Sequence, residues 1–167
     1  MSEPLFVIRS ATDTDIAILT ELRAYLLDGT SAIYSSRTPE DSARWRAAYR
    51  SWLTTTLQSN DHLKVLAAEH RESGQVIGCA TGIIDLRAPT AANPNGRSGW
   101  VQSVVIAPQW RAMGVAGQLM QSLLRWFANR EVSTVALQTT DSATRLYESL
   151  GFQPSDERLL IRQGVLG

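Results

Sequence analysis

The chain has 167 residues, with 16 Lys or Arg against 16 Asp or Glu, a formal net charge of zero and a single cysteine, Cys79. That length suits one domain over residues 1–167 with a substantial core, and the charge balance disfavours nucleic acid or an anionic membrane as the main partner. No apolar run approaches the roughly 18 residues of a membrane span, Met1-Ser2-Glu3-Pro4 lacks the basic and apolar regions of a secretory signal, and a lone thiol suits a reducing compartment, so a soluble cytoplasmic protein is expected.

In chain order, a short strand is predicted near Leu5 to Arg9, then a helix opened by Thr12-Asp13-Thr14-Asp15, a capping-box pattern. Ile16, Leu19, Leu22, Leu26 and Leu27 form its buried stripe. Thr38-Pro39-Glu40-Asp41 is a second helix start, with Thr38 as cap and Pro39 at the first helical position. Trp45, Tyr49, Trp52 and Leu53 follow it at helical spacing. Leu63 to Glu69 and Val76 to Asp85 read as two strands of a hairpin turning at Ser73-Gly74. Arg87 to Ser98, with Pro89, Pro94 and Asn95-Gly96, reads as a surface connection long enough to be mobile and to lie over a site. A strand from Gly99 to Ile106 precedes a helix starting near Gly114, with Val115, Leu119, Met120, Leu123 and Phe127 on one face. Val135 to Gln138 is a further strand. Asp141 caps a last helix with Ala143, Leu146, Tyr147 and Leu150 inward, ended by Gly151, and Glu157 to Arg162 is expected to complete the sheet.

The most informative stretch runs from Gly99 to Gln121. A Val- and Ile-rich strand ends at Pro108 and gives way, after Arg111, to a glycine-containing turn opening a helix. The first turn of a helix carries N–H groups without intrahelical partners and roughly half a positive charge, so a phosphate is bound there by geometry already present. Gly114 and Gly117, with Ala112 and Ala116, keep side chains out of the approach, and Arg111 can add a charge-assisted contact. A P-loop would need Gly-Lys-Ser/Thr where this chain has Gly114-Val115-Ala116, and a dinucleotide fingerprint needs three spaced glycines with a downstream acid.

Arg111-Ala112-Met113-Gly114-Val115-Ala116 instead resembles the Arg/Gln-x-x-Gly-x-Gly/Ala signature of the GNAT superfamily of acyl-CoA-dependent N-acyltransferases. Ile106-Ala107-Pro108 resembles the segment before that signature, and Leu146-Tyr147-Glu148-Ser149-Leu150-Gly151-Phe152 resembles the L-Y-E-x-L-G-F segment that closes the same family's donor site. The resemblance runs from about Leu63 to Arg162 and implies an α/β (α+β) fold: a mixed, splayed sheet of about six to seven strands with about four helices. It further implies acetyl-CoA as co-substrate in the split between Gly99–Ile106 and Val135–Gln138. The backbone of Val104, Val105 and Ile106 would pair with the pantetheine arm, and Ala112, Met113, Gly114, Val115, Ala116 and Gly117 would hold the pyrophosphate. Thr140 stands where many relatives place an asparagine that holds the CoA chain.

The implied activity is N-acetyl transfer to a primary amine of a small molecule or peptide, by direct attack in a ternary complex. Tyr147 occupies the general-acid position, and a phenol of ordinary pKa near 10 can protonate a departing thiolate. The amine must lose a proton, yet Trp100-Val101-Gln102-Ser103-Val104 lacks the glutamate many relatives carry there. Asp85, Glu69 or a water held by Ser103 are the alternatives, with Asp85 first. The acceptor is expected to meet the first two helices, the segment between them and the Arg87–Ser98 loop, with Tyr25, Tyr34 and Arg37 as lining residues. Cys79 reads as a buried core side chain, His62 and His70 lack metal-ligand spacing, so no metal site is expected, and a homodimer is open. The competing reading is a catalytically weak acyl-CoA-binding or sensing module of the same fold.

Overall fold

In the computed structural model the described residues are 3–58 and 60–164, and Met1 and Ser2 of the segment read for a secretory signal lie outside them. One sheet forms the centre, in the order β1 (Phe6–Ser10), β2 (Leu63–His70), β3 (Val76–Leu86), β4 (Arg97–Ile106) and β5 (Thr134–Leu137). Neighbours are antiparallel except β4 and β5, which run parallel, so the sheet is mixed. Helices α1 (Ile16–Leu27) and α2 (Pro39–Thr56) cover one face, α3 (Val115–Asn129) covers the other, and α4 (Thr144–Ser149) packs beside it.

The caps expected from the sequence hold the helix starts. Thr38 Oγ1 accepts from the Asp41 N–H at 3.1 Å, and the Asp15 carboxylate accepts from the Thr12 N–H at 2.8 Å. Asp15 is buried and also takes a bidentate pair from Arg9, at 2.7 and 3.0 Å, while Arg9 Nε donates to Glu69 at 2.6 Å. The Arg9 hydrogen bond holds the Asp15 carboxyl below the usual carboxylate range, against its partial burial. A depressed folded-state pKa means stability that is present above the unfolded value near 3.9 and lost as pH falls through the folded one. Asp15→Asn should therefore destabilise by about 2 kcal/mol at neutral pH, seen as a melting point lower by about 4–8 °C. The gap to wild type should narrow in melts recorded below about pH 4. Glu69 is tied to Arg9 at the β1 side of the sheet.

Among the described residues the sheet has five strands rather than six or seven, and the expected strand over Glu157–Arg162 is absent. Leu159, Leu160 and Ile161 are three consecutive apolar residues at 60%, 89% and 60% exposure, with no layer to cover them and no alternation to give one face to a core. Among the described residues nothing pairs with the outer edge of β5, and a trough of about 760 Å³ runs along it toward Tyr147 and Phe152.

The Arg87–Ser98 segment is also more ordered than its length suggests. Arg87 and Gly96 close it by a backbone bond at 2.8 Å, Asn93 donates to the Arg97 carbonyl at 3.0 Å, and Asn95 donates to the Glu131 carbonyl at 2.7 Å. It is a stitched connection at the end of β4 remote from the α3 turn.

Candidate functional site

Two features of β4 build the site. Its pairing with β5 stops at Val101↔Leu137, so Ser103 to Ile106 pair with β3 on one side only. The sheet therefore splits along Val104, Val105 and Ile106, between the two strands where the resemblance implied a split. The second feature is a bulge: Thr81 pairs with Ser103 and Gly82 with Val101, leaving Gln102 without a partner on β3. A bulge inverts side-chain alternation. Gly99 and Val101 face α3, whereas Ser103 and Val105 face α1 and α2.

Beyond β4 the chain makes a tight reversal through Pro108–Trp110 into α3. Ala112 and Gly114 adopt left-handed backbone at φ of 60° and 82°, a conformation that costs an L side chain about 1–2 kcal/mol and a glycine none. Val115, 1% exposed, anchors the first turn of α3 in the core. Among the described residues, the N–H groups of Ala112, Met113, Gly114, Val115, Ala116 and Gly117 have no hydrogen-bond acceptor, the first intrahelical bond being Gln118 N–H to the Gly114 carbonyl at 3.2 Å. Six successive free amides at a helix N-terminus, in an αL-containing nest, make an anion cradle. Arg111 is folded back on β4, its Nε donating to the Ile106 carbonyl at 3.2 Å.

On the α1/α2 face, beside the bulge, lies a cavity of about 490 Å³. Trp45, Tyr49 and Trp52 of α2 form one wall and Arg23 and Leu27 of α1 another; Gln102 reaches it from β4. The rings are ordered: Tyr49 and Trp52 stack with centroids 5.8 Å apart, and Trp45 is tilted on Tyr49 at 6.4 Å. Trp45 is also held by its indole N–H, which donates to Asp28 at 3.0 Å. The same carboxylate accepts from Ser42 at 2.9 Å and Arg46 at 3.0 Å. Partial burial pushes the Asp28 carboxyl up, but the hydrogen bonds from Trp45, Ser42 and Arg46 outweigh it and bring it down to about 2. Arg23 lies over the Tyr49 ring, 4.8 Å from its centroid, and donates through Nη1 to Ser103 Oγ at 2.6 Å. Burial raises the Tyr49 phenol above its ordinary pKa. The lining contains no carboxylate.

The other expected residues fall in several places. Tyr147, half-buried on α4, packs edge-on against Phe152 with centroids 5.9 Å apart, and burial raises its phenol. Its neighbour Leu146 approaches Gly117, the distance from a built Cβ being 3.7 Å, which brings α4 beside the start of α3. Thr140 is exposed and its hydroxyl pairs with Ser142 at 3.0 Å. Asp85 lies on the same face of β3 as the cavity residue Ile83, two positions beyond it, and pairs with Arg87 at 3.3 Å. Tyr25 and Tyr34 are exposed at 48% and 63%, Arg37 is exposed, and none of the three lines the cavity. Cys79 is buried in the core beneath α1 and α2, where burial pushes its thiol up to about 12. Trp110 sits against the ring of His70, with centroids 4.6 Å apart.

The bulge at Gln102 and the cavity residues Arg23, Trp45, Tyr49 and Trp52 are functional candidates that sequence reasoning missed. The Trp45, Tyr49 and Trp52 spacing was visible and reads equally as core. Among the described residues, no group of three or more His, Cys, Asp or Glu could hold a metal ion, and no helix is long and apolar enough to cross a membrane.

A family model described as Acetyltransferase (GNAT) family matches residues 24–152. No curated protein matches the sequence. Among solved structures, the chain is similar to a predicted acetyltransferase with acetyl-CoA from Clostridium acetobutylicum, with 24% identity over 94% of this chain and 96% of that one and a TM-score of 0.78. It is similar to AAC(6')-Iy in complex with the bisubstrate analog CoA-S-monomethyl-acetylneamine, with 22% identity, 95% and 97% coverage and a TM-score of 0.71. Glucosamine-6-phosphate N-acetyltransferase from Arabidopsis thaliana matches with 18% identity, 96% and 99% coverage and a TM-score of 0.67.

Proposed function

The chain belongs to the GNAT acetyltransferase family, and from that premise we propose that it moves an acetyl group from acetyl-CoA to a primary amine of a small molecule or peptide, by direct attack in a ternary complex. The observation that carries this reading is a junction. Gln102 is at once the first β4 residue beyond the last β5 pair and a wall of the aromatic cavity, so a donor laid along the open half of β4 would meet an acceptor held on α1 and α2 there.

The free amides of residues 112–117 suit a pyrophosphate, and the unpaired edge of Val104 to Ile106 suits an amide-bearing arm. Arg111 and Thr140 flank that path. Acetyl-CoA supplies an acyl group on a good leaving thiolate. The amine nitrogen attacks the acyl carbon, the C–N bond forms as the C–S bond breaks, and the Tyr147 hydroxyl gives the thiolate its proton. The ammonium proton leaves through water, with Ser103 Oγ ordering that water and Asp85 as terminal base. The positive Arg23 assists, because a like charge lowers an ammonium pKa. Support from the neighbours is limited to the acetyl-CoA named with one and the bisubstrate analog named with another.

The test is CoA thiol release at about pH 8 over aminoglycosides, polyamines, amino acids and short peptides, with acetyl-CoA binding measured by calorimetry. Release with one class supports the enzyme. Tight acetyl-CoA binding with silence across the panel supports the sensing module, a reading favoured by the lack of a carboxylate in the cavity. Failure to bind acetyl-CoA overturns the cofactor assignment. The same reading takes residues 1–167 as one domain, with both apolar clusters sharing one sheet, and places it in the cytoplasm on the strength of the single buried thiol. It takes a homodimer from the open edge of β5 and exposed Leu159 to Ile161.

Gly117 offers a direct check on the amide cradle. A Cβ there meets only Leu146 at 3.7 Å, ordinary contact. Gly117→Ala should therefore keep or slightly raise stability, by about 0.5 kcal/mol. The added methyl stands in the approach to the free amides, and acetyl-CoA affinity should fall about 10-fold, roughly 1.4 kcal/mol, in calorimetry.

A further inference from the structure

Resting on that reading, we propose that the acceptor is an amphipathic amino acid, carrying a primary amine, a carboxylate and an aromatic or long aliphatic side group, and that Arg23 binds its carboxylate. The cavity is shaped by aromatic faces, with Leu27, Leu63 and Ile83 between them, and this lining suits a ring or branched chain far better than a sugar. Its one charged wall is Arg23. Of the guanidinium's five donors only Nη1 is used, toward Ser103; the remaining N–H groups have no acceptor among the described residues. A guanidinium fork with free donors on an aromatic wall matches a carboxylate bidentately.

The charge pattern also discriminates against the alternatives. A polycation such as spermidine or an aminoglycoside would find no carboxylate in the lining and one fixed positive charge facing it, a repulsive element as much as a missing attractive one. An apolar amine without a carboxylate would fill the aromatic space and leave the Arg23 fork unmatched. Ser103 Oγ, buried and bonded to Arg23, ties this carboxylate subsite to the strand along which the thioester is read, so binding the acid group would aim the neighbouring amine at the bulge.

The experiment compares L-phenylalanine, its decarboxylated analogue phenethylamine, and spermidine as acceptors in CoA release, and measures calorimetric binding of N-acetyl-L-phenylalanine to the protein alone. The expected result is a kcat/KM for phenylalanine about 10- to 100-fold above phenethylamine, with spermidine inert and N-acetyl-L-phenylalanine bound saturably. Arg23→Gln should erase the preference, bringing the kcat/KM values for phenylalanine and phenethylamine within about 3-fold of each other. Arg23→Lys, which keeps the charge and loses the fork, should fall between, and its melting point guards against a folding defect. Spermidine turning over while phenylalanine does not would overturn this inference and leave the acetyltransferase reading standing. Saturable, Arg23-dependent binding of N-acetyl-L-phenylalanine without turnover of any amine would do the reverse. Neither binding nor turnover of the phenylalanine compounds overturns the inference outright.

Discussion

Tyr147→Phe should lower CoA release by about 100-fold or more, the loss expected for removing a general acid, with the melting temperature within about 2 °C of wild type. The structural side of that expectation is direct. The phenol makes no hydrogen bond within the described residues, and its ring packs edge-on against Phe152, a contact phenylalanine retains. Removing the oxygen therefore opens no cavity and orphans no partner. Affinity for acetyl-CoA should change little. The pH dependence separates acid from base: burial raises the Tyr147 phenol above its ordinary value near 10. It remains protonated throughout the working range, and the rise of rate with pH belongs to the amine. The Phe variant should show the same rising limb at lower amplitude, measured as kcat/KM between about pH 6 and 9. Loss of the limb itself would assign Tyr147 to the amine's proton instead.

The largest effect on stability is expected at Phe127. Its ring is 1% exposed, and the sheet makes room for it with two glycines. A Cβ on Gly82 would stand 2.9 Å from the ring and one on Gly99 2.8 Å from it. Gly82 lies on β3 and Gly99 on β4, so the ring fills a hollow that two bare backbones create. Phe127→Ala leaves that hollow empty, with no side chain on the floor to relax into it, and should cost about 3–5 kcal/mol, a melting point lower by roughly 10 °C or more. The converse change, Gly99→Ala, should destabilise by about 1–3 kcal/mol through overpacking. Combined with Phe127→Leu, whose shorter side chain vacates the contact, the added methyl should be tolerated better than in the wild-type background, a coupling that a double-mutant cycle on chemical unfolding would read.

The fold was legible where periodicity and capping act over short range. Every residue expected on the inner face of α3, from Val115 to Phe127, is buried, and Thr38 and Asp15 cap the helices at the positions their residue types predict. The Glu157–Arg162 strand was misread because a short apolar run contains strand propensity without stating whether a neighbour exists to pair with it. The cradle over residues 112–117 was readable because backbone amides need only small residues and a helix start. The aromatic cavity was not. Arg23 and Tyr49 meet only through the packing of α1 on α2, and Tyr25, two residues from Arg23, is exposed. Sequence spacing alone cannot decide which of these faces a cavity. The Gln102 bulge had no signal either, since an extra residue is extra only relative to the register of β3.

That bulge gives β4 an asymmetry between two kinds of genetic change. Substituting any one residue from Arg97 to Val101 alters one side chain. Deleting Gln102 would remove the extra residue and leave Gly99 and Val101 toward α3 and Ser103 and Val105 toward α1 and α2 in unbroken alternation, matching the consecutive partners Gly82 and Thr81 on β3. Deleting Trp100 or Val104 instead would turn part of the strand away from its core. Single-codon losses in this strand should therefore be accepted at Gln102 and rejected on either side of it, a pattern that a deletion scan beside a substitution scan would expose.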